Sequence, residues 1–166
     1  MKAMKRIAMI TGSAFLMLLL SVSVLAQHGF DRAKFYQAME ESNLKNVDGQ
    51  IAIVAKSTVS EKQAYEGALQ MKKAGLISGA GKKLNMFKEG HKKLEASIEK
   101  DANNTEYRFL RILIQENAPG ILGYKDDLKK DSEYLRQNFK NLPDEAKKAV
   151  VSYSKKSKVL KSTDFN

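Results

Sequence analysis

The 166-residue chain has no cysteine, no tryptophan and only two prolines, Pro119 and Pro143. Without cysteine there is no disulfide, no thiolate metal site and no lipid-modified cysteine of the kind that anchors conventional bacterial lipoproteins. The folded part must therefore stand on its apolar core. Histidine is scarce too, with only His28 and His91. Acidic residues are in the minority, 19 against 29 lysines and arginines, for a net charge of +10. No stretch alternates apolar and polar residues with period two, so strands are not expected.

The one long apolar run lies at the start. Lys2, Lys5 and Arg6 form a basic region, residues 7–20 are almost wholly apolar, and Val24 and Ala26 fit the small-residue positions of a signal-peptidase site. Residues 1–26 are expected to be a signal peptide cut before Gln27, although the run is also long enough to span a bilayer if left uncleaved. Export places the protein in the periplasm or outside the cell, with no stable membrane span after cleavage. Removing Lys2, Lys5 and Arg6 lowers the charge from +10 to +7. That excess favours acidic partners, although scattered lysines mixed with acids also read as a solvated helical surface. No basic run is interleaved with stacking aromatics, so nucleic acid is not an expected partner.

Residues 27–160 read as one all-α domain of about seven helices, followed by a frayed tail over 161–166. The first helix is expected over 31–42 with Asp31 as N-cap, and the second over 44–56 despite Gly49. Ser60 and Gln63 suggest a capping box opening the third, to about residue 74. After a loop at 77–81, a fourth helix over 82–100 carries Leu84, Phe87, His91, Leu94 and Ile98 as one core stripe. The fifth, over 105–117, is apolar on most sides and should be the central helix. Pro119 and Gly120 end it. A sixth is expected over 124–140, and a seventh from Pro143 to about residue 160. Short connections make antiparallel hairpins the default packing.

The spacing of Gly90, Leu94 and Ser97, followed by Asp101-Ala102-Asn103-Asn104, resembles the second helix and exit turn of a tetratricopeptide repeat, with Ala102 where the repeat usually has proline. The segment with Ala64, Gly67 and Ala68 looks like the partner helix, and 105–117 would open a second, degenerate repeat. More broadly, Ala64-Tyr65-Glu66-Gly67-Ala68, Glu106-Tyr107-Arg108-Phe109-Leu110-Arg111, Gln115-Glu116-Asn117-Ala118-Pro119 and Leu122-Gly123-Tyr124 resemble small exported helical proteins of flavobacterial-type Gram-negative bacteria. That resemblance covers about residues 64–160 and implies a fold but no activity. Tetratricopeptide-like folds bind proteins or peptides, an expectation at the level of the fold alone.

No catalytic set is expected. Glu40-Glu41 and Asp126-Asp127 are adjacent pairs that cannot face each other on a helix. No serine has a visible His–Asp partnership. Gly79-Ala80-Gly81-Lys82 matches too little of a phosphate loop. His91, without a second histidine nearby, reads as structural, and no metal or cofactor is expected. The candidate binding residues are Arg108, Arg111 and Gln115, which share one face of the apolar fifth helix. They either line a groove that grips a carboxylate or phosphate, or pair internally with Asp127, Asp131 or Glu116 to set helix register. The leading functional expectation is a non-enzymatic binding or scaffold module of the cell envelope recognising a protein or peptide. The alternative is a binder of a small ligand or anionic polymer through the basic surface.

Overall fold

A computed structural model describes residues 29–165. The expected signal segment and His28 lie outside the described residues. Seven α-helices follow one another: α1 Arg32–Glu40, α2 Leu44–Lys56, α3 Lys62–Leu76, α4 Ala80–Lys100, α5 Thr105–Asn117, α6 Leu128–Asn138 and α7 Asp144–Ser154. Single 3-10 turns occupy Gly120–Leu122, Phe139–Asn141 and Ser162–Phe165. None of the described helices is long and apolar enough to cross a membrane.

The helix starts follow from side chains that take up free backbone amides. Asp31 accepts from the Lys34 amide at 3.1 Å and Asn43 from the Asn46 amide at 3.2 Å. Asn104 Oδ1 accepts from both Glu106 and Tyr107 at 3.1 and 3.2 Å, opening α5. The capping box expected at Ser60 does not form. A turn closes from the Lys62 amide to the Val59 carbonyl, and Ser60 donates instead to Glu61 at 2.7 Å. The helix begins two residues later.

Helix α5 is the centre: every residue from Thr105 to Gln115 is buried, with Phe109, Leu110 and Ile112 fully enclosed. Around it the core takes Phe35, Tyr65, Leu69, Leu94, Leu135 and Val150 from five other helices. The closest approach is between α3 and α4. A Cβ placed on Gly90 would lie 2.5 Å from the Gly67 carbonyl oxygen, and one on Gly67 would lie 2.7 Å from that of Gly90. The two backbones touch because neither residue has a side chain.

The other boundaries shift for local reasons. Gly79 adopts φ +89°, so the chain reverses early and α4 starts at Ala80 rather than 82. Gly123 at φ +61° breaks the expected start of α6, which begins at Leu128 and leaves Tyr124 buried in the connection. Helix α7 ends at Ser154, not near residue 160. Glu116 accepts from the Ser157 hydroxyl at 2.7 Å and from the Lys158 amide, which draws the chain off the helical path. Over residues 161–165 the expected tail packs back onto the helices, with Phe165 buried. Arg136 holds Asp164 at 2.8 Å, and the rings of Phe165 and Phe139 lie 4.9 Å apart.

The stripe expected along α4 is a core stripe only over its second half. Gly90, Leu94, Ser97 and Ile98 are buried, whereas Leu84 is 40 % exposed and the His91 side chain 43 % exposed. Periodicity marks the apolar face but not whether another element arrives to cover it.

Candidate functional site

The three sequence-expected binding residues come together, but inside the protein. Arg111 is held by Asp131 in a two-pronged pair, Nε to Oδ2 at 2.6 Å and Nη2 to Oδ1 at 2.8 Å. Its remaining nitrogen reaches Glu95 at 2.7 Å and Asp127 at 3.1 Å. Arg108 donates to Asp131 at 3.2 Å and to the Ala102 carbonyl at 2.9 Å. Burial opposes the Arg111 charge, but Asp131, Glu95 and Asp127 outweigh it and hold the guanidinium above its ordinary pKa. Gln115 is 1 % exposed, and its Oε1 accepts no hydrogen bond. The two arginines tie α5 to α6, and Arg111 also to α4, while Gln115 is buried beside them rather than lining a groove. Of the three acids weighed as partners, Asp127 and Asp131 take the role, while Glu116 binds the segment after α7.

Two features of this network were not anticipated. Glu95 bridges Arg111 to Tyr124, whose hydroxyl donates to Glu95 at 2.5 Å. Burial, then the Glu95 carboxylate, raise the Tyr124 hydroxyl pKa, so it stays a donor. Tyr124 in turn stands edge-on to the His91 ring at 4.6 Å and to Phe87 at 5.6 Å. The ion network thus ends on an aromatic floor.

Above that floor is an open cleft of about 260 Å³, lined by Leu84, Phe87, Lys88, His91, Leu122 and Tyr124. One wall is the first half of α4 and the other is the connection from Pro119 to Tyr124. Ile121, next to Leu122, is 95 % exposed. Leu84 is 40 % exposed at the same rim, and Phe87 and Leu122 are half-buried. The glycines at 120 and 123 and Pro119 fix the turn that presents Ile121. Lys82, Lys83, Lys88 and Lys92 are exposed on the same helix segment, against one acid there, Glu89.

A second polar cluster lies on the other side of α5. Glu106 Oε1 accepts from Tyr36 at 2.7 Å, Tyr65 at 2.9 Å and Arg32 Nε at 3.1 Å. A buried acid in the first turn of an apolar helix is the same kind of signal as the arginines, and Glu106 could have been singled out on that ground. A recess of about 220 Å³ beside it is lined by Glu61, Asn104, Glu106 and Pro143, at the starts of α3, α5 and α7. Its two carboxylates, Glu61 and Glu106, lie at the starts of α3 and α5 and are both engaged by Arg32, which accounts for them structurally.

Burial raises the Glu106 pKa above 4.5, although Arg32 and the two hydroxyls pull the other way. Above pH 4.5 the folded state therefore keeps a proton that the unfolded chain has released. Stability should fall as pH rises through that window, up to the folded pKa. Denaturant titrations should show this slope in the native chain and not in Glu106→Gln. An unchanged slope in the variant would mean that another group carries it.

Among the described residues, no group of three or more His, Cys, Asp or Glu side chains is placed to hold a metal ion. Comparison of the chain with protein-family models, curated proteins and solved structures finds no match.

Proposed function

We propose that the chain is an exported, non-enzymatic binding module of the cell envelope, periplasmic or secreted, that receives a protein or peptide in the cleft between α4 and residues 119–124. The observation that carries this reading is an apolar rim, with Leu84 and Ile121 exposed and Phe87 and Leu122 half-buried, around a cleft whose floor is fixed from below. Tyr124 is anchored to Glu95, Glu95 to Arg111, and Arg111 to Asp131. Such a preorganised floor loses little freedom on binding. The cleft's one imidazole, His91, faces two aromatic rings and lies 4.0 Å from Glu95, which is already engaged. That supports recognition rather than acid–base work.

The hairpin expectation has support in the pairing of α3 with α4. Glu66 meets Lys93, and Met71 meets Gly90, so partners descend on one helix as they ascend on the other. Gly90, Leu94 and Ser97, the positions that resemble a tetratricopeptide repeat, are buried. In this reading the family resemblance concerns the scaffold, and the cleft carries the function.

A random peptide library selected on the native chain and, in parallel, on Ile121→Asp tests the proposal. The native chain should enrich peptides that the variant fails to hold, while the variant keeps its melting temperature. Equal enrichment on both proteins would remove the cleft from the function.

A further inference from the structure

The charge around the cleft says more about its occupant, provided the binding-module reading holds. From Ala80 to Lys92 the helix carries four lysines and one glutamate, a local charge of +3. Lys88 lines the cleft itself, and helical geometry puts Lys83 and Lys92 to either side of the Leu84–Phe87–His91 face. On the opposite wall Lys125 is exposed beside Tyr124. Of the carboxylates nearby, Glu95 and Asp127 are taken by Arg111, which leaves the exposed Glu89 and Asp126 against five exposed lysines, Lys82, Lys83, Lys88, Lys92 and Lys125. At about 260 Å³ the cleft is smaller than the roughly 300–1,000 Å³ of drug-sized ligand sites, and its walls are side chains of an aromatic and aliphatic kind. It is large enough for one bulky side chain. Ile121 stands outside it, placed to cover the neighbouring residue of a bound chain.

We infer that the occupant is an acidic protein segment in which one large apolar side chain, aromatic or leucine, enters the cleft while flanking carboxylates meet Lys83, Lys88 and Lys92. The anchor supplies the affinity, because it is desolvated against Phe87, Leu84 and Leu122. The lysines are exposed, so they add chiefly to the association rate and to selection against basic segments. An anionic polysaccharide would leave the apolar walls unused.

The test uses three fluorescein-labelled decapeptides: one rich in Asp and Glu with a central Phe, the same with Ala for Phe, and a Lys-rich one with the Phe. Vesicles of anionic phospholipid and a sulfated polysaccharide serve as further probes. The acidic Phe peptide should bind saturably and weaken as salt rises. Its affinity should fall about tenfold or more with the Phe→Ala peptide and in Ile121→Asp, since one lost apolar contact is worth that much, whereas Lys88→Glu should slow association and flatten the salt dependence. Both substitutions are at exposed positions, and an unchanged circular dichroism melt confirms the fold. Equal binding of the Lys-rich Phe peptide would overturn the acidic assignment yet leave a peptide-binding cleft standing. Binding of vesicles or polysaccharide alone, or of no probe at all, would overturn both.

Discussion

Asp131→Ala should lower the melting temperature by about 10–20 °C. Asp131 is fully buried, and its two oxygens take three hydrogen bonds from Arg108 and Arg111. Removing it leaves the Arg111 side chain, 4 % exposed, with Glu95 and Asp127 only, and Arg108 with one carbonyl. Breaking a buried pair from one side costs about 3–5 kcal/mol because a charge stays desolvated without its partner. For a domain of this size each kcal/mol is worth roughly 2–8 °C. The pair itself need not be a net stabiliser. The double replacement Asp131→Leu with Arg111→Met should recover part of the loss, since it removes the bidentate pair and keeps the volume filled, while Arg108 is left with the Ala102 carbonyl. Glu95 and Asp127 are partly exposed and can turn to water. A melt of Asp131→Ala within a few degrees of the native chain would mean that water or another acceptor satisfies the two guanidinium groups. By contrast, Lys148→Ala removes an exposed pair with Glu145 and should change the melt hardly at all.

The second large effect is a change of sign between two glycines that the sequence treats alike. Gly90→Ala should destabilise by about 1–3 kcal/mol, although alanine gains about 1 kcal/mol in helix propensity. Its methyl would lie 2.5 Å from the Gly67 carbonyl oxygen and 2.9 Å from the Met71 amide, both backbone atoms that cannot swing aside. The two helices would have to part, and the core residues Ala64, Ala68 and Leu94 along that seam would loosen with them. Gly49→Ala, in the middle of α2, meets nothing within 4 Å and should stabilise by up to about 1 kcal/mol. Paired urea titrations decide it. If both alanines stabilised, the α3–α4 contact would be looser than the 2.5 Å approach indicates.

Much of the fold was readable because its signals are local. Helix α2 begins and ends where its period and Asn43 place it, and α5 runs over the residues expected, with Asn104 as its cap. The centrality of α5 followed from its apolar residues on every side, and burial from Thr105 to Gln115 agrees. The errors fall where a distant contact overrides a local pattern. Ser60 loses its capping role to a turn closed by Val59. Glu116, from the end of α5, cuts α7 short. Phe139 and Arg136 hold Phe165 and Asp164, where no local pattern places them.

The site shows the same division. The sequence alone determined that Arg108, Arg111 and Gln115 share a face, because helical spacing is a property of the chain. It also determined that α4 has an apolar stripe, and that no cysteine chemistry is available. Only the tertiary structure decided that Asp131 fills the arginines, because ion pairing depends on which helix packs opposite. Only the tertiary structure left Leu84 and Ile121 uncovered and Phe87 half-covered, because burial depends on whether a neighbour arrives. The residues that looked functional in the sequence became the foundation, and the cleft arose where the core stripe outran its cover.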